Sequence, residues 1–290
     1  MFGMKLAMTA AVAAIAWTPV LADTSSAAIQ KERLDLAGRE RMLIQRIVKS
    51  SCLVLSNIDT EHYAAAAIKD TDLFETTLAD LIAGSPERNW APERNPKALA
   101  QMQDTYAKWS TLRPAALQVS HGDLMAFAVF QIVKDTDKTV TAMNAAVSDI
   151  ANAMSQKGVD PKISKTLNAA GKQRMLSQKL AKEFCFLHND VNAEMHRELL
   201  IETAATFEKT LDSLLNSDAV TGEFIAPPTP QTELHLTNAK RIWQDLSPIM
   251  QHAIDGEETT LTDLENVAHL SDKLLSEMVA AVKAYVAGTA

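Results

Sequence analysis

The sequence predicts an all-α protein made of two tandem, pseudo-symmetric four-helix bundles. Helix-favouring residues dominate its long segments, aromatic residues make up only 5% of the chain, and runs of β-branched residues are absent. Glycine and proline cluster at a few positions between those segments, where they indicate loops and turns. The chain also repeats itself at a constant offset, so we expect both halves to fold in the same way.

The repeat is clearest in one predicted helix. Leu34 to Val54 matches Leu167 to Leu187 without a gap, at an offset of 133 residues and with nine identical positions. The identical pairs are Leu34/Leu167, Ala37/Ala170, Gly38/Gly171, Arg41/Arg174, Met42/Met175, Leu43/Leu176, Gln45/Gln178, Lys49/Lys182 and Cys52/Cys185. Two copies of one helix can meet across a pseudo-twofold axis, and whatever lies between them then faces two sets of the same side chains.

The repeat extends along the whole chain and sets its domain organisation. Phe74 matches Phe207, and after single insertions Trp109 matches Trp243 and the Asp137-Lys138 pair matches Asp272-Lys273. Each unit has roughly 130 residues, which is a common domain size and is enough for a core of its own. We predict a signal peptide over residues 1–22, a first bundle over 23–157 and a second over 158–290.

The loop signals divide each unit into four helices. The predicted helices cover residues 26–57, 60–82, 96–120 and 124–156, then 161–189, 192–216, 231–253 and 258–287. Most connections between successive helices are short, which implies antiparallel neighbours and a four-helix bundle in each unit.

The N-terminus has the layout of a secretory signal peptide. Lys5 supplies a positive residue, Leu6 to Trp17 is apolar, and Val20-Leu21-Ala22 is a small-residue cleavage site before Asp23. The alternative is an uncleaved N-terminal anchor. We expect export to a bacterial periplasm, which permits a disulfide, and no membrane insertion after cleavage.

Charge and motifs exclude several classes of function. A net charge of −8 gives no electrostatic basis for nucleic-acid binding. The chain has no haem-attachment motif, no cysteine set for zinc, no glycine-rich phosphate loop and no catalytic triad. We therefore predict a non-enzymatic protein without a metal or cofactor.

The repeated helix has two different faces. One is largely apolar and suits packing into its own bundle; it carries Leu36, Leu43, Ile44, Ile47, Ser51 and Val54. The other contains most of the repeated identities, namely Gly38, Arg41, Met42, Gln45, Lys49 and Cys52. Because the second face is not needed for the bundle core, we expect the two units to pack through their first helices on this face.

The two cysteines lie on this second face at equivalent positions. A pseudo-twofold arrangement would bring Cys52 close to Cys185, and we predict a disulfide between them. The alternative is a pair of buried free thiols too far apart to bridge.

The motif Ala-Gly-x-x-Arg-Met-Leu-x-Gln-Arg/Lys resembles the signature helix of PilJ-type sensor domains of type IV pilus chemotaxis transducers. It starts at Ala37 in the first copy and at Ala170 in the second. It is also similar to the nitrate-sensing segment of NarX-type sensor kinases, in which two subunits hold the anion between equivalent helices. The resemblance implies a periplasmic helical sensor module, in which one chain carries both halves of the site.

A small-anion site between the two helices is implied by this resemblance, with nitrate or nitrite as the first ligand to consider. Arg46 and Lys179 are the expected ligand donors, and the backbone at Gly38 and Gly171 would line the site. Arg41 and its equivalent Arg174 would either touch the anion or pair with acidic residues. The alternative is that all these residues form salt bridges between the units and bind no ligand.

The sequence thus predicts an exported sensory protein that binds a small anion and reports to a separate partner. No signalling domain follows the second unit before Ala290, so the partner would be a membrane sensor, a transducer or a transporter. The alternative function is a structural or adaptor bundle that binds a partner protein and no small ligand.

Overall fold

The computed structural model describes residues 19–123, 126–156, 158–216 and 222–289. Across these residues the chain forms eight α-helices and no β-strand. The helices are α1 (Pro19–Leu55), α2 (Thr60–Ala83), α3 (Pro96–Ser120), α4 (Ala126–Gln156), α5 (Pro161–His188), α6 (Ala193–Leu215), α7 (Pro230–Ile254) and α8 (Leu261–Gly288). The predicted all-α class is confirmed. Residues 1–18, which contain most of the predicted signal peptide, lie outside the described residues.

Local signals explain where several helices begin. Asn95 caps α3 by accepting hydrogen bonds from the backbone N–H groups of Lys97 and Ala98, and a proline occupies the first helical position. Asp160 and Thr229 cap α5 and α7 in the same way, each before a proline. Thr260 and Asp263 form a reciprocal capping box at the start of α8.

The eight helices form two equivalent bundles, α1–α4 and α5–α8. In each bundle the first helix packs against the second and the fourth, and the third packs against both of these. The ring of Phe74 lies 4.5 Å from that of Trp109, and the equivalent rings of Phe207 and Trp243 are 5.0 Å apart. The two cores are therefore built alike, as the repeat predicted.

The bundles meet through their first helices, α1 and α5, which pack against each other extensively. Each of these helices also contacts the last helix of the other bundle, α8 for α1 and α4 for α5. Because neighbours surround both helices, even their polar residues are buried, including Arg41, Lys49, Arg174 and Lys182. Buried charges are costly unless they are paired, so the partners of these residues define the candidate site. None of the described helices is both long and apolar enough to cross a membrane.

Candidate functional site

Two arginines from equivalent positions meet where α1 crosses α5. A terminal guanidinium nitrogen of Arg41 and one of Arg174 both lie 3.3 Å from the point where a Cβ atom would stand at Gly38. Both also lie 3.4 Å from the corresponding point at Gly171. The two glycines thus leave room for the guanidinium groups, because a side chain at either position would press on both.

Arg174 is neutralised by an ion pair with the other bundle. Its guanidinium lies 2.8 Å from a carboxylate oxygen of Asp35 and donates a further hydrogen bond of 3.0 Å to the Asp35 carbonyl. Arg174 is only 3% exposed, so this contact is well shielded from solvent.

Arg41 has only neutral acceptors around it. It donates to the side-chain oxygen of Asn168 at 3.0 Å, to that of Asn144 at 3.2 Å and to the carbonyls of Asn168 and Gly38. Within the described part of the chain, no carboxylate lies at ion-pair distance from Arg41. Burial and the neighbouring charge of Arg174 lower the pKa of Arg41 to about 9, which still leaves the group cationic at neutral pH.

The difference between the two arginines comes from one pair of equivalent positions. Asp35 in the first unit corresponds to Asn168 in the second, and each contacts the arginine of the opposite unit. The carboxylate neutralises Arg174, whereas the amide leaves the charge of Arg41 uncompensated. One positive charge is therefore left buried beside a second guanidinium, which is an arrangement suited to a single anion.

A cavity of about 380 Å³ gives access to Arg41. Asn144, Asn168 and the exposed Lys172 also line it, and none of its lining residues is acidic. Lys165 also lines this cavity but is paired with Glu223 at 2.7 Å, so an anion entering here would meet the charges of Arg41 and Lys172.

Two further contacts across the units repeat the pseudo-twofold symmetry. Lys49 of α1 lies 2.5 Å from the Asp272 carboxylate on α8, and Lys182 of α5 lies 3.4 Å from the Asp137 carboxylate on α4. Both lysines and both aspartates are equivalent pairs in the repeat. These crossed ion pairs position the two bundles on either side of the arginine cluster.

The structure places the expected ligand donors Arg46 and Lys179 away from this cluster. Arg46 forms a bidentate ion pair with Asp70 of α2. Lys179 lies 2.8 Å from Glu183 and donates to the hydroxyl of Thr203. Each thus has its partners inside its own bundle, because the second basic position of the motif turns toward the second helix of the unit. Of the six predicted ligand residues, Gly38, Arg41, Gly171 and Arg174 are the ones brought together.

Asp35, Asn168 and Asn144 are site residues that the motif did not indicate. The repeat alignment contains a usable signal for the first two, because an Asp/Asn difference at equivalent positions predicts unequal charge on the axis. Asn144 comes from α4, and no motif points to it.

A disulfide joins α1 and α5 farther along the same interface. It links Cys52 to Cys185, whose Cα atoms are 6.2 Å apart. The side-chain amide of Asn189 donates to Ser56 and to the Cys185 carbonyl, and so covers the bond from one side.

The described residues contain no group of three or more histidine, cysteine or acidic side chains placed to hold a metal ion. His188, which follows Cys185 by three positions, instead hydrogen-bonds through its Nδ1 atom to Thr259.

Both units match one family model, that of the N-terminal region of type IV pili methyl-accepting chemotaxis transducers (PilJ). The matches cover residues 24–134 and 161–270. The chain belongs to the PilJ family. Members are sensory rather than catalytic modules, and this chain carries two of them in tandem.

One sequence relative is a chemotaxis protein. The methyl-accepting chemotaxis protein McpN of Pseudomonas aeruginosa strain PAO1 is 28% identical over 131 residues. That region is 43% of this chain and 24% of the relative, so the chain spans about a quarter of that protein's length.

Proposed function

We propose that this protein is a sensor for a small inorganic monoanion, with nitrate or nitrite first, and that the anion binds between Arg41 and Arg174. One observation carries this proposal: Arg41 is a buried guanidinium with no carboxylate partner, and it lies beside a second guanidinium. Holding two like charges together in a protein interior is unfavourable, and a bound anion would relieve that repulsion.

The charge balance favours a monoanion. Two arginines and the single carboxylate of Asp35 leave one positive charge, which one nitrate or nitrite would neutralise. A guanidinium is planar and donates two parallel hydrogen bonds, which match the oxygen pair of a planar oxyanion better than a spherical halide. Sulfate would bring a second negative charge, for which the cluster has no partner.

The signalling role follows from the family. PilJ domains belong to chemotaxis transducers, and the relative McpN is itself a methyl-accepting chemotaxis protein. We propose that this chain acts in the periplasm after removal of its predicted leader. Anion binding would change the packing of α1 against α5, and a membrane sensor, transducer or transporter would detect that change.

Calorimetry on protein freed of buffer anions tests the ligand directly. We expect nitrate and nitrite to bind with a stoichiometry of one per chain, and chloride and sulfate to bind at least tenfold more weakly. The absence of heat with every one of these anions would contradict the proposal.

A matched pair of variants tests the position of the site. Arg41→Gln removes the uncompensated charge and should abolish nitrate binding, while the relief of repulsion with Arg174 keeps the protein folded. Arg241→Gln removes the same charge from an exposed arginine on α7 and should leave binding unchanged. Equal nitrate affinity in both variants would place the anion elsewhere.

A further inference from the structure

A second cavity lies between the first bundle and the last helix of the second bundle. It has a volume of about 660 Å³ and is separate in its lining from the arginine cluster. Its polar wall contains Arg46, Lys49 and Ser50 of α1, together with Asp70 of α2 and Asp272 of α8. This wall therefore carries two positive and two negative side chains, all within one recess.

The equivalent polar residues of the second unit differ from those of this cavity at one position. Ser50 corresponds to Glu183, and Arg46 and Lys49 correspond to Lys179 and Lys182. The fully buried carboxylate of Glu183 bridges those two lysines, at 2.8 Å from Lys179 and 3.0 Å from Lys182. It also accepts a hydrogen bond from His196. A carboxylate thus completes the polar network of the second unit.

In the first unit that carboxylate is missing. The Ser50 side chain is shorter, and its hydroxyl is buried without any hydrogen-bond partner although it lines the cavity. A buried polar group without a partner is unfavourable, so a ligand that can hydrogen-bond to it would be favoured.

The equivalent lysines respond to this difference in opposite directions. Burial lowers the pKa of Lys49, and Asp272 only partly offsets that effect. Burial also acts to lower the pKa of Lys182, but Glu183 and Asp137 together raise it above its usual value. Lys49 is therefore the lysine with the weaker anionic environment, and it faces the cavity.

The two acidic residues of the cavity, Asp70 and Asp272, favour a ligand that also carries a positive group. Asp70 is paired with Arg46 and Asp272 with Lys49, so the four charges sum to zero. A ligand that carried only a carboxylate would add net negative charge to this recess, whereas one that also carried an ammonium group would keep it neutral. The remaining charged residue, Lys69, and His62 lie on the exposed rim.

Most of the remaining lining is apolar. Met42, Ala65, Ala66, Leu275 and Val279 form this part, which suits a short aliphatic group. Ser276 and Tyr63 add hydroxyl groups, and the ring of Tyr63 lies 5.6 Å from Lys49 Nζ.

From this arrangement we propose that the cavity binds a free α-amino acid with a small apolar side chain. The ligand carboxylate would lie between Arg46 and Lys49 and accept a hydrogen bond from Ser50, in the position that Glu183 occupies in the other unit. The ammonium group would contact Asp70 and Asp272, and the side chain would lie against Met42 and Leu275.

The test uses the full mature chain and calorimetry with alanine, valine and leucine. Two probes separate the contributions of the charged groups: 4-methylpentanoate has the leucine skeleton without the ammonium, and 3-methylbutylamine has it without the carboxylate. We expect at least one amino acid to bind with a dissociation constant of about 1 mM or lower. Both leucine analogues should bind at least tenfold more weakly than leucine. No binding by any of the three amino acids, or equal binding by 4-methylpentanoate, would overturn the proposal.

Substitutions at one position locate the ligand. Ser50→Glu copies the second unit and places a carboxylate of the protein where the ligand carboxylate would lie, so amino-acid affinity should fall at least tenfold. Ser110→Glu adds the same charge on the exposed surface of α3 and should have no effect. Ser50→Ala removes only the hydroxyl and should weaken binding about threefold to tenfold, which keeps the test valid if Ser50→Glu does not fold.

This site is independent of the arginine cluster. Arg41→Gln should retain amino-acid binding while nitrate binding is lost, and Ser50→Glu should show the reverse. Amino-acid affinity that does not change in either Ser50 variant would overturn the assignment to this cavity.

Discussion

The two bundles have the same core and different polar interiors. Phe74 packs on Trp109 as Phe207 packs on Trp243, and the crossed ion pairs of Lys49 and Lys182 reach across the interface in both directions. Against this common framework, several pairs of equivalent buried or half-buried positions differ in charge. Among them are Asp35/Asn168, Ser50/Glu183 and Asp70/Thr203.

These differences separate structural charges from charges that are available to a ligand. The second unit neutralises its buried lysines internally, through Glu183. Where the second unit supplies Asn168, the Arg41 charge has no counter-ion, and where the first unit supplies Ser50, a hydroxyl has no partner. The pseudo-symmetry therefore provides an internal reference, because each unsatisfied group can be compared with a satisfied equivalent in the same chain.

The largest expected effect concerns the covalent link between the units. In the Cys52→Ala/Cys185→Ala double variant we expect the free energy of unfolding to fall by about 4–5 kcal/mol, since the bond closes a loop of more than a hundred residues. Urea denaturation measures the change. Reductant should destabilise the wild type by a similar amount and should leave the double variant unaffected. Two thiols that react with an alkylating agent in native protein isolated without reductant would contradict the bond.

The second-largest expected effect comes from giving both arginines a carboxylate partner. Asn168→Asp supplies a carboxylate to Arg41, so nitrate affinity should fall about a hundredfold, or about 2.7 kcal/mol, while the anion-free protein becomes more stable. Asp35→Asn leaves both arginines without a carboxylate and should do the opposite. Calorimetry and thermal melts measure both quantities. If Asn168→Asp binds nitrate as the wild type does, Arg41 is not the anion ligand.

Glu40 and its equivalent Gln173 give a third comparison. Glu40 is fully buried, both its carboxyl oxygens lack a hydrogen bond, and burial raises its pKa well above the usual range. Gln173 instead donates to the Phe207 carbonyl at 2.8 Å. Because burial raises the pKa of Glu40 in the folded protein and not in the unfolded chain, the unfolded chain releases this proton first, and stability falls as the pH rises above about 4.5.

We therefore expect Glu40→Gln to raise the free energy of unfolding by about 2 kcal/mol at pH 7 and by much less near pH 4. Urea denaturation across this pH range measures the difference. Gln173→Glu is the matched control and should introduce the same loss of stability into the second unit. A gain from Glu40→Gln that is independent of pH would show that Glu40 is ionised in the folded protein.

The smallest effect is the pH dependence of anion binding. Because burial and Arg174 lower the pKa of Arg41 to about 9, nitrate affinity should be constant below about pH 8 and fall up to tenfold per pH unit above 9. Nitrate carries the same charge throughout this range, so the change reports the arginine. Calorimetry at each pH measures it, with circular dichroism confirming that the protein is folded. Constant affinity to pH 10.5 would rule out a ligand role for an arginine of this pKa.

The sequence was sufficient to predict most of the fold. All eight predicted helices are present, and the ends that can be compared agree within a few residues, apart from the start of α1. Proline, glycine and capping residues mark those ends directly. The helix face through which the two units contact each other could also be predicted, because the identical positions lie on a face that is not needed for the bundle core.

The site was harder to predict because it depends on contacts between distant helices. The motif offers both Arg41 and Arg46 as cationic ligand donors, and only their neighbours in the folded protein distinguish them. Asp70 of α2 neutralises Arg46, whereas Asn168 of α5 cannot neutralise Arg41. Similarly, Ser50 becomes notable only when its equivalent, Glu183, is seen to bridge two lysines. Charge compensation is a property of the packed interior, and spacing along one helix does not determine it.

The disulfide also determines how the two central helices can move. It fixes the separation of α1 and α5 at Cys52 and Cys185, which lie about 21 Å along the helices from Gly38 and Gly171 at 1.5 Å per residue. A change in spacing at the glycines cannot be taken up by translation of one bundle away from the other. It becomes a scissor motion with its pivot at the cysteines, and its amplitude grows toward the N-terminal ends of α1 and α5. The covalent bond thus leaves the N-terminal ends of α1 and α5 as the part of the interface with the most freedom to separate.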